Sequence, residues 1–194
     1  MTLENINYVA QTIGVFAILG SLLFVARQLQ QAQKIERAAA QRELLARVSE
    51  WAWRVDGAER DLFVKGLVDF DDAPARQQGY ISTALSDFVF IAESALNMHK
   101  HGFFSDGTWA GIEGAALALL RTPGGAQWWR YGQRYVGPEI AAHLKKRLSE
   151  IDPDTPSFID FAPNYRKRLK ELQALEAQGE TTSLGSARST GDAS

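Results

Sequence analysis

The sequence contains no cysteine. That excludes disulfides, thiolate metal sites and cysteine nucleophiles, and it fits a reducing compartment. Proline is scarce, with six residues of which the first is Pro74, so long uninterrupted helices are permitted before it. An excess of either charge is also lacking. The net charge of −2 gives no basic surface of the kind nucleic acid requires, and no nucleic-acid partner is expected. Several signatures are missing: G-x-G-x-x-G, the P-loop, H-E-x-x-H, G-x-S-x-G and the EF-hand loop. Thr122-Pro123-Gly124-Gly125 is glycine-rich but lacks the P-loop lysine, and a turn explains it.

What the sequence does have is one long apolar run. Tyr8–Ala26 carries no charge, and ten of its residues are Leu, Ile, Val or Phe. At ~1.5 Å per residue it spans roughly 28 Å, close to the ~30 Å hydrocarbon core of a bilayer. Those ten residues favour insertion by roughly 3–6 kcal/mol. Gln11 and Thr12 oppose it near one end, where polar groups cost less. A cleaved signal peptide is a rival reading, but the flank before the run holds Glu4 and no basic side chain. The other rival is a helix buried in a soluble protein.

Arg27, Lys34, Arg37 and Arg42 come after the run, joined further on by Arg47. The positive-inside rule places the C-terminal domain in the cytoplasm and the N-terminus outside, so the expected location is the inner membrane, spanned once. The same cluster is suited to anionic headgroups, which makes the lipid bilayer the first expected partner. Ala10, Gly14, Ala17 and Ser21 fall on one face of the helix. Such a small-residue stripe lets a second membrane helix approach, either a copy of this chain or another protein.

No Gly or Pro interrupts Ser21–Asp56. Ile35, Ala38, Leu45, Val48, Ala52 and Val55 recur at roughly helical spacing, so the membrane helix is expected to continue into the domain as one rod ending at Gly57. A short helix from Glu59 to about Val68 and an acidic turn from Asp69 to Ala75 come next. Ile81, Leu85, Phe88, Ala92, Ala95 and His99 draw the clearest apolar stripe, closed by Gly102. Ser105 or Asp106 caps the next helix, whose buried face is Trp109, Ile112, Ala116, Leu117 and Leu120. Thr122-Pro123 and Gly137-Pro138 each start a helix. The second of these buries Ile140, Leu144, Leu148 and Ile151. The expected class is all-α: a single N-terminal transmembrane helix continuing into a cytoplasmic helical bundle. The division is residues 1–33 as anchor, 34–151 as helical domain, 152–178 as peripheral C-terminal helix and 179–194 as disordered tail.

Few side chains suggest chemistry, and no cofactor is expected. His99 and His101 form an H-x-H pair near Asp106, but positions i and i+2 of a helix diverge, and His143 is remote in sequence. Glu93 and Glu113 sit at the edges of apolar stripes. There a carboxylate serves as a general acid or base, or accepts a bond from Trp, Tyr or Arg of a facing helix. Neither starts the Glu-x-x-His pair of a di-metal bundle. Trp128, Trp129, Arg130, Tyr131, Arg134 and Tyr135 interleave aromatics with cations. Such a mixture suits bases or a membrane interface, but the preferred reading is packing, with one Trp in the core, the other at its edge, and Arg130 or Arg134 over a ring.

Three segments together carry a resemblance: GVFAILGSLLFVARQLQQ, ESALNMHKHGFFSDGTW and LLRTPGGAQWWRYGQRYVGPEIAAHL. From about Asn5 to Leu148 the chain resembles a family of short uncharacterised bacterial membrane-anchored helical proteins. The resemblance implies an anchor, assigns no activity and carries over no functional residues. The preferred function is a non-enzymatic anchored interaction module or an accessory subunit of a membrane complex. One alternative is a helical-bundle enzyme or metal-binding protein using Glu93, Glu113, His99 and His101. Another is a soluble helical oligomer with its first helix buried in a self-interface.

Overall fold

A computed structural model describes the backbone of residues 3–189, with the side chains of 14, 16–175 and 177. Among the described residues the protein is all-α, as the sequence predicts. The helices are α1 (Leu3–Val55), α2 (Arg60–Val68), α3 (Ala75–Lys100), α4 (Asp106–Leu120), α5 (Pro123–Gly132), α6 (Pro138–Glu150), α7 (Phe158–Phe161) and α8 (Pro163–Ser189). The chain divides into two compact units, Met1–Glu43 and Leu44–Ser194.

The first unit is the N-terminal part of α1. Phe16, Ile18, Leu19, Leu22, Leu23, Phe24 and Val25 are exposed there, and at ~100° per residue they cover every face of the helix. Among the described residues no helix is long and apolar enough to cross a membrane. The run that suggests a span begins at Tyr8, and its side chains up to Ile13, with Val15, lie outside the described residues.

The second unit is a bundle around α3. The Ile81–Leu85–Phe88–Ala92–Ala95 stripe is buried throughout, because residues four and three apart return to one side of a helix. The helix stops where only glycine fits: Gly102 has φ +72°. Its N–H donates to the His99 carbonyl at 2.9 Å, and the Phe103 N–H donates to the Met98 carbonyl at 2.8 Å, the paired bonds of a Schellman stop. Ser105 caps α4 by accepting from the Thr108 N–H at 3.2 Å. Thr122, fully buried, accepts from the Gly125 N–H at 3.1 Å and donates to the Leu119 carbonyl at 2.8 Å, so one hydroxyl ends α4 and starts α5.

The last turns of α1 join this bundle through a stripe that differs from the one the periodicity suggests. Leu44, Trp51 and Val55 are buried and Val48 is partly buried, whereas Leu45 and Ala52 are exposed. Ile35 and Ala38, in the first unit, are exposed too. The expected stripe mixes two faces one residue apart, and the large indole of Trp51 decides which of them turns inward. Its Nε1 donates to the Ala84 carbonyl at 2.7 Å, and its ring meets Phe88 at 4.6 Å and Phe63 at 5.9 Å between centroids. Phe63 in turn contacts Phe158 and Tyr165, and burial pushes the Tyr165 phenol up to about 12.

Helices α2 and α5 approach at backbone distance. A Cβ on Gly124 would overlap the Gly66 carbonyl, and one on Gly66 would lie 2.9 Å from the Ile81 Cβ. Gly132 gives way to the Trp128 ring, whose Nε1 donates to Ser82 Oγ at 3.1 Å. Beyond α6, the Arg121 guanidinium donates to the carbonyls of Asp152, Pro153, Thr155 and Pro156 and so holds the proline-punctuated loop. The short α7 is an addition to the helices expected from the sequence. It is set by a capping box between Ser157 and Asp160, a pattern visible in Ser-Phe-Ile-Asp. Helix α8 runs past the expected end at Gln178, and the side chains of the tail from Gly179 onward lie outside the described residues. Arg168 of α8 forks onto Asp61 of α2 at 2.8 and 2.7 Å. This guanidinium holds the Asp61 carboxyl below its ordinary value.

This packing makes glycine substitutions act in opposite directions. Gly124→Ala lowers the unfolding free energy by about 3 kcal/mol or more, because two backbones must separate. Gly114→Ala, exposed in mid-helix with open space around it, raises the unfolding free energy by about 0.5–1 kcal/mol. Denaturant melts of the two variants check both signs. For Asp61 the folded pKa lies below the unfolded one. Its contribution is therefore complete above the unfolded value of about 3.9 and is lost as pH falls through the folded value. Asp61→Asn is accordingly less stable than the parent at pH 7, and the two melting curves converge on acidification. A gap that stays constant from neutral to acid pH would contradict the pairing.

Candidate functional site

A group of polar and aromatic side chains lies where α3, α4 and α6 meet. Trp109, in the first turns of α4, is buried. The His99 ring stacks on it at 6.0 Å between centroids and 14° between planes. The His143 ring of α6 lies 5.5 Å from the same indole at 57°. His143 Nε2 is 2.6 Å from Glu113 Oε1, and Arg147 Nε donates to that oxygen at 3.0 Å. Arg147 continues to Glu150 at 3.0 Å, and its bonds to Glu150 and Glu113 hold the guanidinium above its ordinary value.

The local sequence explains the convergence. His143 and Arg147 are four residues apart, so both reach one face of α6 and straddle a single acceptor. Glu113 comes directly after Ile112 on the inward edge of α4, and its side chain keeps only 10% exposure. A carboxylate that buried requires donors, and α6 supplies two. The reading in which Glu113 accepts from an Arg of a facing helix is therefore the one realised. His143, although remote in sequence, belongs to the cluster. Its four-residue spacing from Arg147 is the signal in the sequence that places it.

The residues suggested for metal or acid–base chemistry do not meet. Glu113 faces His143, whereas the Glu93 carboxylate abuts Gly137 at the start of α6. His101 is exposed, and its Nδ1 contacts the Asn97 carbonyl at 2.8 Å, closing its own helix. His99 Nε2 lies 3.8 Å from Asp106, and its Nδ1 is buried with no hydrogen-bond partner. Lys100 pairs with Glu139 beside them. Among the described residues no group of three or more His, Cys, Asp or Glu is placed to hold a metal ion.

The aromatic–cationic segment resolves into packing and one groove. Trp128 and Trp129 are both buried, so the expected edge tryptophan is in the core as well. Arg130 lies over the Tyr131 ring at 5.8 Å, a cation over a ring as the sequence suggests, and pairs with Asp71. A groove of about 460 Å³ opens beside Trp128, bordered by Phe70, Asp71, Gln78, Ser82, Tyr131 and Tyr135. The amide of Gln78 on its wall, and that of Gln127 nearby, are turned on the protein's own backbone. Gln127 Oε1 accepts from the Phe70 and Asp71 N–H groups, and Gln78 Nε2 donates to the carbonyls of the same two residues. These bonds order the α2–α3 loop.

In the first unit, Arg27, Lys34, Arg37 and Arg42 are exposed, with Arg42 Nε 3.4 Å from its own Ala38 carbonyl. Of the small-residue stripe, Ala17 and Ser21 are exposed and Gly14 is half-buried, with nothing within 4 Å of a Cβ built on it. The side chain of Ala10 lies outside the described residues. No family model matches this chain, and no curated protein or solved structure is similar to it.

The Glu113 cluster behaves as a structural clasp between α4 and α6. Glu113→Ala lowers the unfolding free energy by about 1–3 kcal/mol, because the two α6 donors lose their common acceptor. Tryptophan fluorescence followed through a urea melt checks it, and an unchanged midpoint would remove the clasp.

Proposed function

We propose that this chain is a membrane-anchored helical interaction module or an accessory subunit of a membrane complex. In this reading Tyr8–Ala26 is held in the inner membrane, crossing it once, and the bundle stands in the cytoplasm. The observation that carries the proposal is the exposed apolar girdle from Phe16 to Val25, which covers every face of the helix. A soluble amphipathic helix hides one stripe and wets the rest, so a helix apolar all round requires a surrounding that is apolar all round. Exposure of such a patch to water is unfavourable, and patches of that kind mark contacts with lipid or protein.

The flanking charge supports the orientation. Arg27, Lys34, Arg37 and Arg42 come directly after the girdle, where they would lie at the anionic cytoplasmic leaflet. The bundle supports the non-enzymatic half of the reading. Its most buried carboxylate, Glu113, is engaged by His143 and Arg147 and serves to join two helices. The family resemblance carried by the N-terminal, HG…W and GGxxWW segments implies an anchor as well.

The test is extraction. The full-length protein should stay with membranes through alkaline carbonate and leave them only with detergent. Release by carbonate alone would mean that the girdle is buried in a self-interface. A charge near the centre of a spanning helix opposes insertion by about 2.5–3.5 kcal/mol. Leu19→Arg/Leu22→Arg therefore outweighs the roughly 3–6 kcal/mol that favours insertion, and should move the protein out of the carbonate-resistant fraction.

A further inference from the structure

The end of α2, the loop that follows it, the start of α3 and the middle of α8 border an open recess of about 340 Å³. Gln77 sets this recess apart. It stands four residues before Ile81 in α3, so it continues the buried stripe of that helix by one turn. An apolar side chain would suit that place, yet the chain puts an amide there, and the residue is only 8% exposed. Among the described residues no donor or acceptor meets this amide. Neither its nitrogen nor its oxygen is sealed from the surface. The end of Gln77 left open is therefore the amide, and it borders the recess. Buried amides are normally paired. The adjacent Gln78 shows the contrast, since its Nε2 donates to the carbonyls of Phe70 and Asp71.

Two carboxylates border the same recess. Asp69 ends α2, and Asp72 lies three residues further on, its N–H 3.4 Å from Asp69 Oδ1. Among the described residues neither carboxylate is paired with a cation. Asp71, between them in the loop, is matched by Arg130, and Asp61 of α2 is matched by Arg168. Lys65 also borders the recess and has an interaction of its own. Two aspartates against one lysine leave the lining negative.

We propose that this recess binds a small organic cation, an ammonium or guanidinium group on an aliphatic stem. The N–H donors of such a group suit three acceptors at once: the carboxylates of Asp69 and Asp72 and the Oε1 of Gln77. Val68 and Leu169 give the stem apolar surface to lie on. The volume falls within the range of small-molecule sites, roughly 300–1,000 Å³. A divalent metal ion fits less well. It takes six or more oxygen ligands, and the Lys65 ammonium stands on the wall against it. Among the described residues no group of three or more His, Cys, Asp or Glu is placed for one. An anion would meet two carboxylates. The recess lies wholly within the second unit, so the proposal stands apart from the anchor.

Calorimetric titration of the full-length protein in a nonionic detergent, with L-arginine and with putrescine as probes, tests this. At least one probe should bind saturably, one per chain. Gln77→Leu and Asp72→Asn should each weaken that binding about tenfold or more, because a charged donor loses an acceptor in a partly enclosed site. Asp154→Asn removes an exposed carboxylate elsewhere and should leave binding unchanged. Asp72 is exposed, so its variant keeps the test valid even where Gln77→Leu disturbs folding. Without a probe, Gln77→Leu should unfold at the same urea concentration as the parent or a higher one, since no bond is lost. A lower urea midpoint would give the amide a structural partner and overturn the proposal. So would saturation by neither probe, binding of calcium chloride in their place, equal affinity in Gln77→Leu and Asp72→Asn, or an equal loss in Asp154→Asn.

Discussion

The bundle depends on a close backbone approach. Helices α2 and α5 meet where Gly66 and Gly124 have no side chains, and Ile81 of α3 fills the space above Gly66. The consequences spread outward. With α5 drawn in, Trp128 lies across Gly132 and reaches Ser82 of α3. Thr122 is then fully buried, and its hydroxyl must satisfy backbone groups of both α4 and α5. Three helices are fixed by side-chain volume that is missing, and the glycines differ sharply in the room around them. Gly111 and Gly114 have open space around them, whereas Gly124 has a backbone against it.

Around that centre the polar groups join helices to one another. Trp51 ties the end of α1 to α3 through a single carbonyl. Glu113 ties α4 to α6, Arg121 collects four loop carbonyls, and Arg168 clamps α8 to α2. Each is a side chain spent on positioning. The two units therefore pose different physical problems. The second hides a core of apolar side chains and ties its helices together with polar ones. The first leaves a girdle of apolar side chains uncovered, and the proposed bilayer is the surrounding that would cover it.

Helix starts and stops are legible in the sequence because they are local. Gly102, Thr122-Pro123 and Gly137-Pro138 act within one turn of themselves, and each marks a real boundary. The α3 stripe is legible because its residues repeat without a competing face. The α1 stripe is not. Leu45 and Ala52 fit the same spacing as Leu44 and Trp51 displaced by one residue, and nothing local says which set faces the bundle. The Trp128–Trp129 pair is half legible. Adjacent residues on a helix diverge, but two neighbouring helices can bury both.

The sequence by itself determined the helical class, the order of the helices, the caps and the apolar run, since these depend on residue type and spacing within a few turns. Tertiary structure alone decided which carboxylate is engaged and by what. Glu93 and Glu113 look alike in sequence, each at the edge of an apolar stripe. One abuts a glycine at a helix start and the other is held by His143 and Arg147. The difference lies in the register between α3, α4 and α6. That register is set by packing across the core, between residues thirty or more positions apart, and no window along the chain contains it.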